Sequence, residues 1–262
     1  MSVTDFSPGA LASIDGQDIN IATSTDLIKA SLARLKSGLG FTLFTLNLDH
    51  LVKRRSDPAF RDIYSRATFI TADGAPIVWL AGRQGVKLDR VTGADLVIPM
   101  CEAAANAGLP VAFYGSTEKS LSEAAVRLRR QFPALRIVFM ESPPQGFLPQ
   151  SPAADEAARR MAASGARICF VALGAPKQEA FADRMSQQYA GVGFLGVGAA
   201  LDFIAGEQTR APKFFQKNGL EWLWRLATNP RRLATRYALC AAALASLALT
   251  PQTPLALGGP RR

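Results

Sequence analysis

The chain is poor in histidine, cysteine and paired aspartates, and each shortage closes a class of function. Its 262 residues contain one histidine, His50, so a multi-histidine metal site is impossible and a Ser-His-Asp relay would have to be built around that residue. His50 stands at the opening of a helix, where a satisfied structural role is the simpler reading. Cys101, Cys169 and Cys240 are too few and too scattered for a disulfide framework or a metal knuckle. Each sits in an apolar or alanine-rich run, as a buried thiol of a reducing cytoplasm would. No Asp-x-Asp pair occurs, which removes the usual carboxylate clamp for a divalent cation on a diphosphate. No metal site is expected.

Nucleotide-binding signatures are also missing. No G-x-x-x-x-G-K-[ST] is present, and GSTEKS after Phe113 and Tyr114 is only superficially similar. Gly196 and Gly198 begin a G-x-G-x-x-G pattern that fails at Leu201 and falls in the last strand rather than the first. The first twenty residues lack the basic start and apolar middle of a secretion signal, so export is not expected. The apolar stretch from Tyr237 to Leu249 has 13 residues, short of the roughly 20 that span a bilayer. It is expected to lie on a membrane or on the domain rather than cross.

What is present is a core and an uneven charge. Hydrophobic residues make up 48% of the chain, enough for one large domain or a domain with an appendage. The net charge is +9. Between Arg210 and Arg236, seven basic residues (Arg210, Lys213, Lys217, Arg225, Arg231, Arg232 and Arg236) meet one acid, Glu221, so this segment carries +6 of it. Such a cluster suits a solvated helix face, nucleic acid, an anionic membrane or an anionic substrate.

Six short apolar runs, at 41 to 46, 67 to 71, 110 to 115, 136 to 140, 167 to 174 and 192 to 198, read as strands, several without polar alternation. Between them, 93 to 108, 117 to 132 and 151 to 165 read as amphipathic helices; the last opens with Ser-Pro and closes at a Gly. The expected fold is α/β, a doubly wound, mostly parallel six-stranded sheet with helices on both faces and a helical C-terminal appendage. The expected division is a catalytic α/β domain over 1 to 206 and a basic appendage with an apolar tail over 207 to 262.

On such a sheet ligands sit at the carboxyl ends of the strands. Thr45 and Asn47 end the first strand, and Asp73 ends the second as an acid with no basic neighbour in sequence, the best candidate for a general base. As a bare position, Asp73-Gly74 also suits a turn or helix cap. Arg90 and Gly93 precede a helix whose N-terminus could meet an anion. Gly174, Pro176, Lys177, Gln178 and Glu179 follow the fifth strand at another helix start, and Gly196, Gly198 and Asp202 follow the sixth. On the residues alone, a NAD-type or other nucleotide-using enzyme and a non-catalytic module that sets its basic segment on nucleic acid or membrane stay open.

Taken in order, Thr45-Leu46-Asn47, Ala72-Asp73-Gly74, Arg90-Val91-Thr92-Gly93, Gly174 to Glu179, Gly196-Val197-Gly198, Arg210-Ala211-Pro212 and Gly219-Leu220-Glu221-Trp222 through Arg225 resemble the WecG/TagA/CpsF glycosyltransferases over roughly residues 20 to 237. The resemblance implies an inverting, metal-independent transferase that moves N-acetylmannosamine, its uronic acid or glucose from a UDP donor to a polyprenyl-diphosphate-linked saccharide. It would work at the cytoplasmic membrane face, with no cofactor and no nucleic-acid partner. By the same resemblance Asp73 is the base, Thr45, Asn47, Arg90 and Gln178 line its pocket, and the appendage closes over the site with Arg210, Arg225, Arg231 and Arg232 as diphosphate contacts. Neither the donor sugar nor the oligomeric state follows.

Overall fold

The computed structural model describes residues 8–250, the side chain of Lys217 excepted; the outer ends of the two expected segments, 1–7 and 251–262, lie outside that range. The described chain opens with an antiparallel hairpin, β1 (Ala12–Ile14) and β2 (Gln17–Ile19), that the apolar runs did not announce. Its turn residues, Asp15 and Gly16, have φ of 53° and 70°, the left-handed pair that Asp-Gly supplies to tight hairpins.

Helices and strands then alternate. In order they are α1 (Ser24–Lys36), β3 (Phe41–Leu46), α2 (Leu48–Ser56), α3 (Pro58–Ser65), β4 (Phe69–Ala72), α4 (Ala75–Gly82) and α5 (Gly93–Asn106). Next come β5 (Val111–Gly115), α6 (Glu118–Gln131), β6 (Ile137–Glu141), α7 (Pro152–Ala163), β7 (Ile168–Ala172), α8 (Lys177–Gln188), β8 (Gly193–Gly196) and α9 (Ala200–Ala205). The described chain closes with α10 (Lys213–Lys217), α11 (Glu221–Thr228) and α12 (Pro230–Leu249). Side chains of Thr23, Asn47, Asp57, Thr92, Thr117 and Ser151 cap α1, α2, α3, α5, α6 and α7, each accepting from a backbone N–H of the first turn.

The strands from β3 to β8 form one sheet in the order β4-β3-β8-β7-β5-β6, every neighbouring pair parallel. All but the edge strand β6 are buried at every position, which is why their sequences run apolar without alternation. Successive side chains still point to opposite faces. Phe44, Leu46, Tyr114, Val171 and Phe194 join a core with residues of α2, α3, α4, α7 and α8, where Tyr114 stacks on Phe181 at 4.5 Å. Phe41, Leu43, Phe113, Phe170 and Leu195 join a second core with residues of α1, α5, α6 and α9. The fold is doubly wound α/β.

The last helix departs from expectation. The helix that carries the apolar stretch from Tyr237 extends backward through Arg236 to Pro230, so α12 has 20 residues, and an 18-residue window of it, with a mean hydropathy of 1.2, is by length and composition apolar enough to cross a membrane. Pro at the first helical position makes the extension possible, because its missing N–H would be unpaired there anyway. Leu233, Cys240, Ala243 and Leu247 are buried at intervals of seven, three and four residues, one stripe of the helix, and Leu247 joins the core beneath α2 and α4. Arg236 Nη2 donates to Asp49 of α2 at 2.5 Å, and Arg83 Nη1 donates to the Ala248 carbonyl at 2.7 Å, capping the helix end.

Candidate active site

The carboxyl ends of β3, β4, β7 and β8 open into a cleft of about 540 Å³, roofed by residues from 219 to 244. It lies at the sheet's strand ends, where ligands of open α/β folds bind.

Asp73 stands at its floor, one residue past β4. Its backbone N–H donates to Leu46 O at 2.8 Å, which fixes the strand end. Thr45 Oγ1 and Asn47 Nδ2 donate to Asp73 Oδ2 at 3.2 and 3.3 Å. Burial pushes the Asp73 carboxyl above its ordinary value, while Asn47, Thr45 and the fields of Arg225 and Arg90 pull back. Asn47 does double work, since its Oδ1 accepts from His50 N–H as the cap of α2.

His50 lines the cleft but is buried. Burial lowers its pKa from 6.5 to about 4, outweighing the field of Asp49 and the Thr45 carbonyl contact, so the ring is neutral. Nδ1 lies 2.6 Å from Thr45 O and 3.0 Å from the Tyr64 hydroxyl, which itself donates to Thr45 O at 3.0 Å. The histidine and tyrosine hold the backbone of β3 in place just below Asp73.

Across the cleft, α8 begins at Lys177 after a cis Ala175-Pro176 bond. Its first turn directs Gln178 and Glu179 inward and Lys177 to solvent, as a rotation of about 100° per residue requires. Gln178 Oε1 accepts from Gly198 N–H at 2.9 Å and its Nε2 donates to Glu179 Oε1 at 2.9 Å, tying the start of α8 to the end of β8. Glu179 is 1% exposed, its Oε2 has no hydrogen-bond partner among the described residues, and burial pushes its pKa up to about 7.

A cationic wall completes the site. Arg90 Nη1 and Arg210 Nη2 both donate to Glu221 Oε1, at 3.2 and 3.1 Å, and Arg210 Nη1 donates to Asp95 at 2.6 Å. This network clamps α11 over the start of α5. Gly93, first residue of α5, presses against the end of β8, so that a Cβ there would lie 2.9 Å from Gly196 O. Close approach of the two backbones therefore explains this glycine.

The structure brings Thr45, Asn47, Asp73, Arg90, Gly93, Gly174, Gln178, Gly196, Gly198, Arg210 and Arg225 to the cleft. Six residues expected there do not line it. Pro176 and Lys177 are exposed, and Glu179 lies behind Gln178. Asp202 turns to Ser116 and Gln208. Arg231 and Arg232 are exposed on the first turn of α12, and Arg236, a turn later, reaches the cleft instead. Asp49, Arg236, Trp222, Tyr237, Cys240 and Leu244 line it without having been anticipated. For the four residues of α12 the signal was the spacing of Arg236, Tyr237, Cys240 and Leu244, one stripe of a helix.

Among the described residues no three His, Cys, Asp or Glu side chains gather into a group able to hold a metal ion. Three acids line the cleft, and two are in ion pairs: Asp49 with Lys53 and Arg236, and Glu221 with Arg90 and Arg210. Asp73 alone of the three is held by neutral donors. A free carboxylate at the strand ends, faced by guanidinium groups, is an arrangement that can take a proton from one substrate while stabilising negative charge on another. Residues 12–254 match the glycosyl transferase WecG/TagA/CpsF family, and over nearly its whole length the chain belongs to that family of glycosyltransferases.

Proposed function

We propose that this transferase moves a sugar from a UDP donor to a polyprenyl-diphosphate-linked saccharide, inverting the anomeric centre and using no metal, with Asp73 as the base. The donor sugar is N-acetylmannosamine, its uronic acid or glucose, and the product feeds synthesis of a cell-surface or exported polysaccharide. The observation that carries the reading is the state of Asp73: an acid on the floor of the cleft, without an ion pair, with a pKa raised by burial. An acceptor hydroxyl loses its proton as it attacks the anomeric carbon, and a carboxylate of raised pKa within hydrogen-bond reach takes that proton most effectively. Thr45 and Asn47 orient it.

The leaving UDP accumulates negative charge on its diphosphate. Arg90, Arg210, Arg225 and Arg236, all lining the cleft, can meet that charge as a divalent cation would. Three of the four have side chains from the segment after β8, so this site would be complete only with α11 and α12 closed over it. The outward residues of the same helices, Leu223, Arg231 and Arg232, are exposed and fit an anionic membrane face, the place where a polyprenyl-linked acceptor is found. The enzyme would act there as a peripheral protein on the cytoplasmic side.

The test is release of UDP from a panel of UDP-sugars, with polyprenyl-diphosphate-saccharide acceptor and chelator present. Turnover with one of the three donors, lost in Asp73→Asn with the fold unchanged by circular dichroism, is expected. Normal turnover in Asp73→Asn would remove the base assignment, and dependence on added Mg²⁺ would remove the metal-independent reading.

A further inference from the structure

A second cleft, of about 450 Å³, lies between the β1–β2 hairpin and the corner of α2 and α3. Arg54 of α2 lines it and is 4% exposed. Its Nε has no hydrogen-bond partner among the described residues. The acid whose field it feels, Asp15, is already engaged: its two carboxylate oxygens accept from Arg55 at 2.6 and 3.0 Å. The Arg54 guanidinium carbon instead lies 6.0 Å from the centre of the Tyr64 ring, a weak substitute for an ion pair.

Arginine does not escape such a position by losing its proton, as lysine can. A buried charge without a partner is costly, and the planar fork of a guanidinium matches a carboxylate or phosphate that offers two oxygens. Arg61 of α3 lines the same cleft and is exposed, so a second cation stands at the opening. Asp18 and Asp62 also line it and are exposed. Their charge would repel an extended polyanion while leaving room for one small anionic group between the arginines.

We propose that this cleft is a binding site for a small oxyanion, a carboxylate or phosphate group held by Arg54 and closed over by Arg61. It is separate from the active-site cleft and independent of the sugar-transfer reading. The two are nonetheless close: Tyr64, beneath Arg54, donates to Thr45 O, and Thr45 donates to Asp73.

Arginine Nε–H resonances of the full chain, followed during titration with inorganic phosphate and with acetate against chloride at equal ionic strength, test the site. The Arg54 resonance, assigned by its loss in Arg54→Lys, is expected to shift saturably in the millimolar range. Whichever anion saturates first identifies the group. Thermal unfolding supplies a second measure: at about ten times Kd, the favoured anion should raise Tm by roughly 3 to 5 °C over chloride. That rise should vanish in Arg54→Met, weaken in Arg61→Ala and survive in Arg210→Ala, whose lost cation belongs to the other cleft. An Arg54 resonance unmoved by both anions, or an equal rise in Arg54→Met, overturns the proposal.

Discussion

Glu179, behind the cleft wall, and His50, in its lining, are both buried, and burial displaces their pKa values in opposite senses. One pKa unit corresponds to about 1.4 kcal/mol. Raising Glu179 from 4.5 to about 7 makes its ionised form cost roughly 3 kcal/mol of stability. Below pH 4.5 the carboxyl is protonated in the folded and unfolded states and costs nothing; the loss develops as pH rises from 4.5 through about 7. His50 has the opposite slope. Lowered from 6.5 to about 4, it contributes fully above pH 6.5, and roughly 3 kcal/mol disappears as pH falls through 4. Between these limits the two slopes nearly cancel. Glu179→Gln removes one of them while leaving an oxygen to accept from Gln178. Urea unfolding across the range from pH 4 to 8 should show the variant about 3 kcal/mol more stable than the parent near pH 8, with no difference below pH 4.5. The variant's own stability should fall steeply toward acid, because His50 is no longer opposed. A gain that does not change with pH, or no gain near pH 8, would refute the reasoning.

Asp73 has a raised pKa as well, so its ionised form also costs stability as pH rises: Asp73→Asn should unfold at a higher temperature at neutral pH and lose that advantage in acid, while transfer falls by roughly 10²- to 10⁴-fold. Gly93→Ala brings a methyl against the backbone of Gly196 and Val197, and a loss of roughly 1 to 3 kcal/mol is expected in denaturant unfolding; a neutral result would mean that α5 can move off β8 freely. Glu221→Ala leaves Arg90 and Arg210 without their shared acceptor, and limited proteolysis should then cut between residues 213 and 249 several-fold faster. Truncation before Arg210 removes the roof of the cleft and should abolish most turnover on a lipid-linked acceptor; undiminished turnover rules out a closing role.

The sheet was legible because strands buried on both faces carry an unbroken apolar signature, and each of the six observed strands overlaps its expected run. The hairpin was not, although Asp15-Gly16 is a strong turn signal, because three-residue strands are too short to show a period. At the site, position along a strand was enough to find Thr45, Asn47 and Asp73. It was not enough for the first turn of α8, where the direction of each side chain depends on the rotation of the helix: three adjacent polar residues became one cleft residue, one buried support and one solvent-facing lysine. Asp49 and Arg236 lie 187 positions apart and meet only when α12 docks on α2. No local pattern reports such a contact.

The basic segment illustrates how a net charge divides once the chain folds. Its six excess positive charges left a solvated face, nucleic acid, a membrane and an anionic substrate open, and in the fold Arg210 pairs with Asp95 and Glu221, and Arg236 with Asp49. These pairs attach the segment to the α/β fold, and their side chains line the cleft at the same time. Lys213, Arg231 and Arg232 remain exposed, and so do Phe214 of α10 and Leu223 of α11. Cations interspersed with large apolar side chains are expensive on a surface that meets only water, yet they suit the boundary between water and lipid, where the apolar side chains enter the apolar layer and the charges meet headgroups. The arginines that pair inward and those that face outward thus serve two different contacts under the proposed function, the donor's diphosphate on one side of α11 and α12 and the acceptor's membrane on the other.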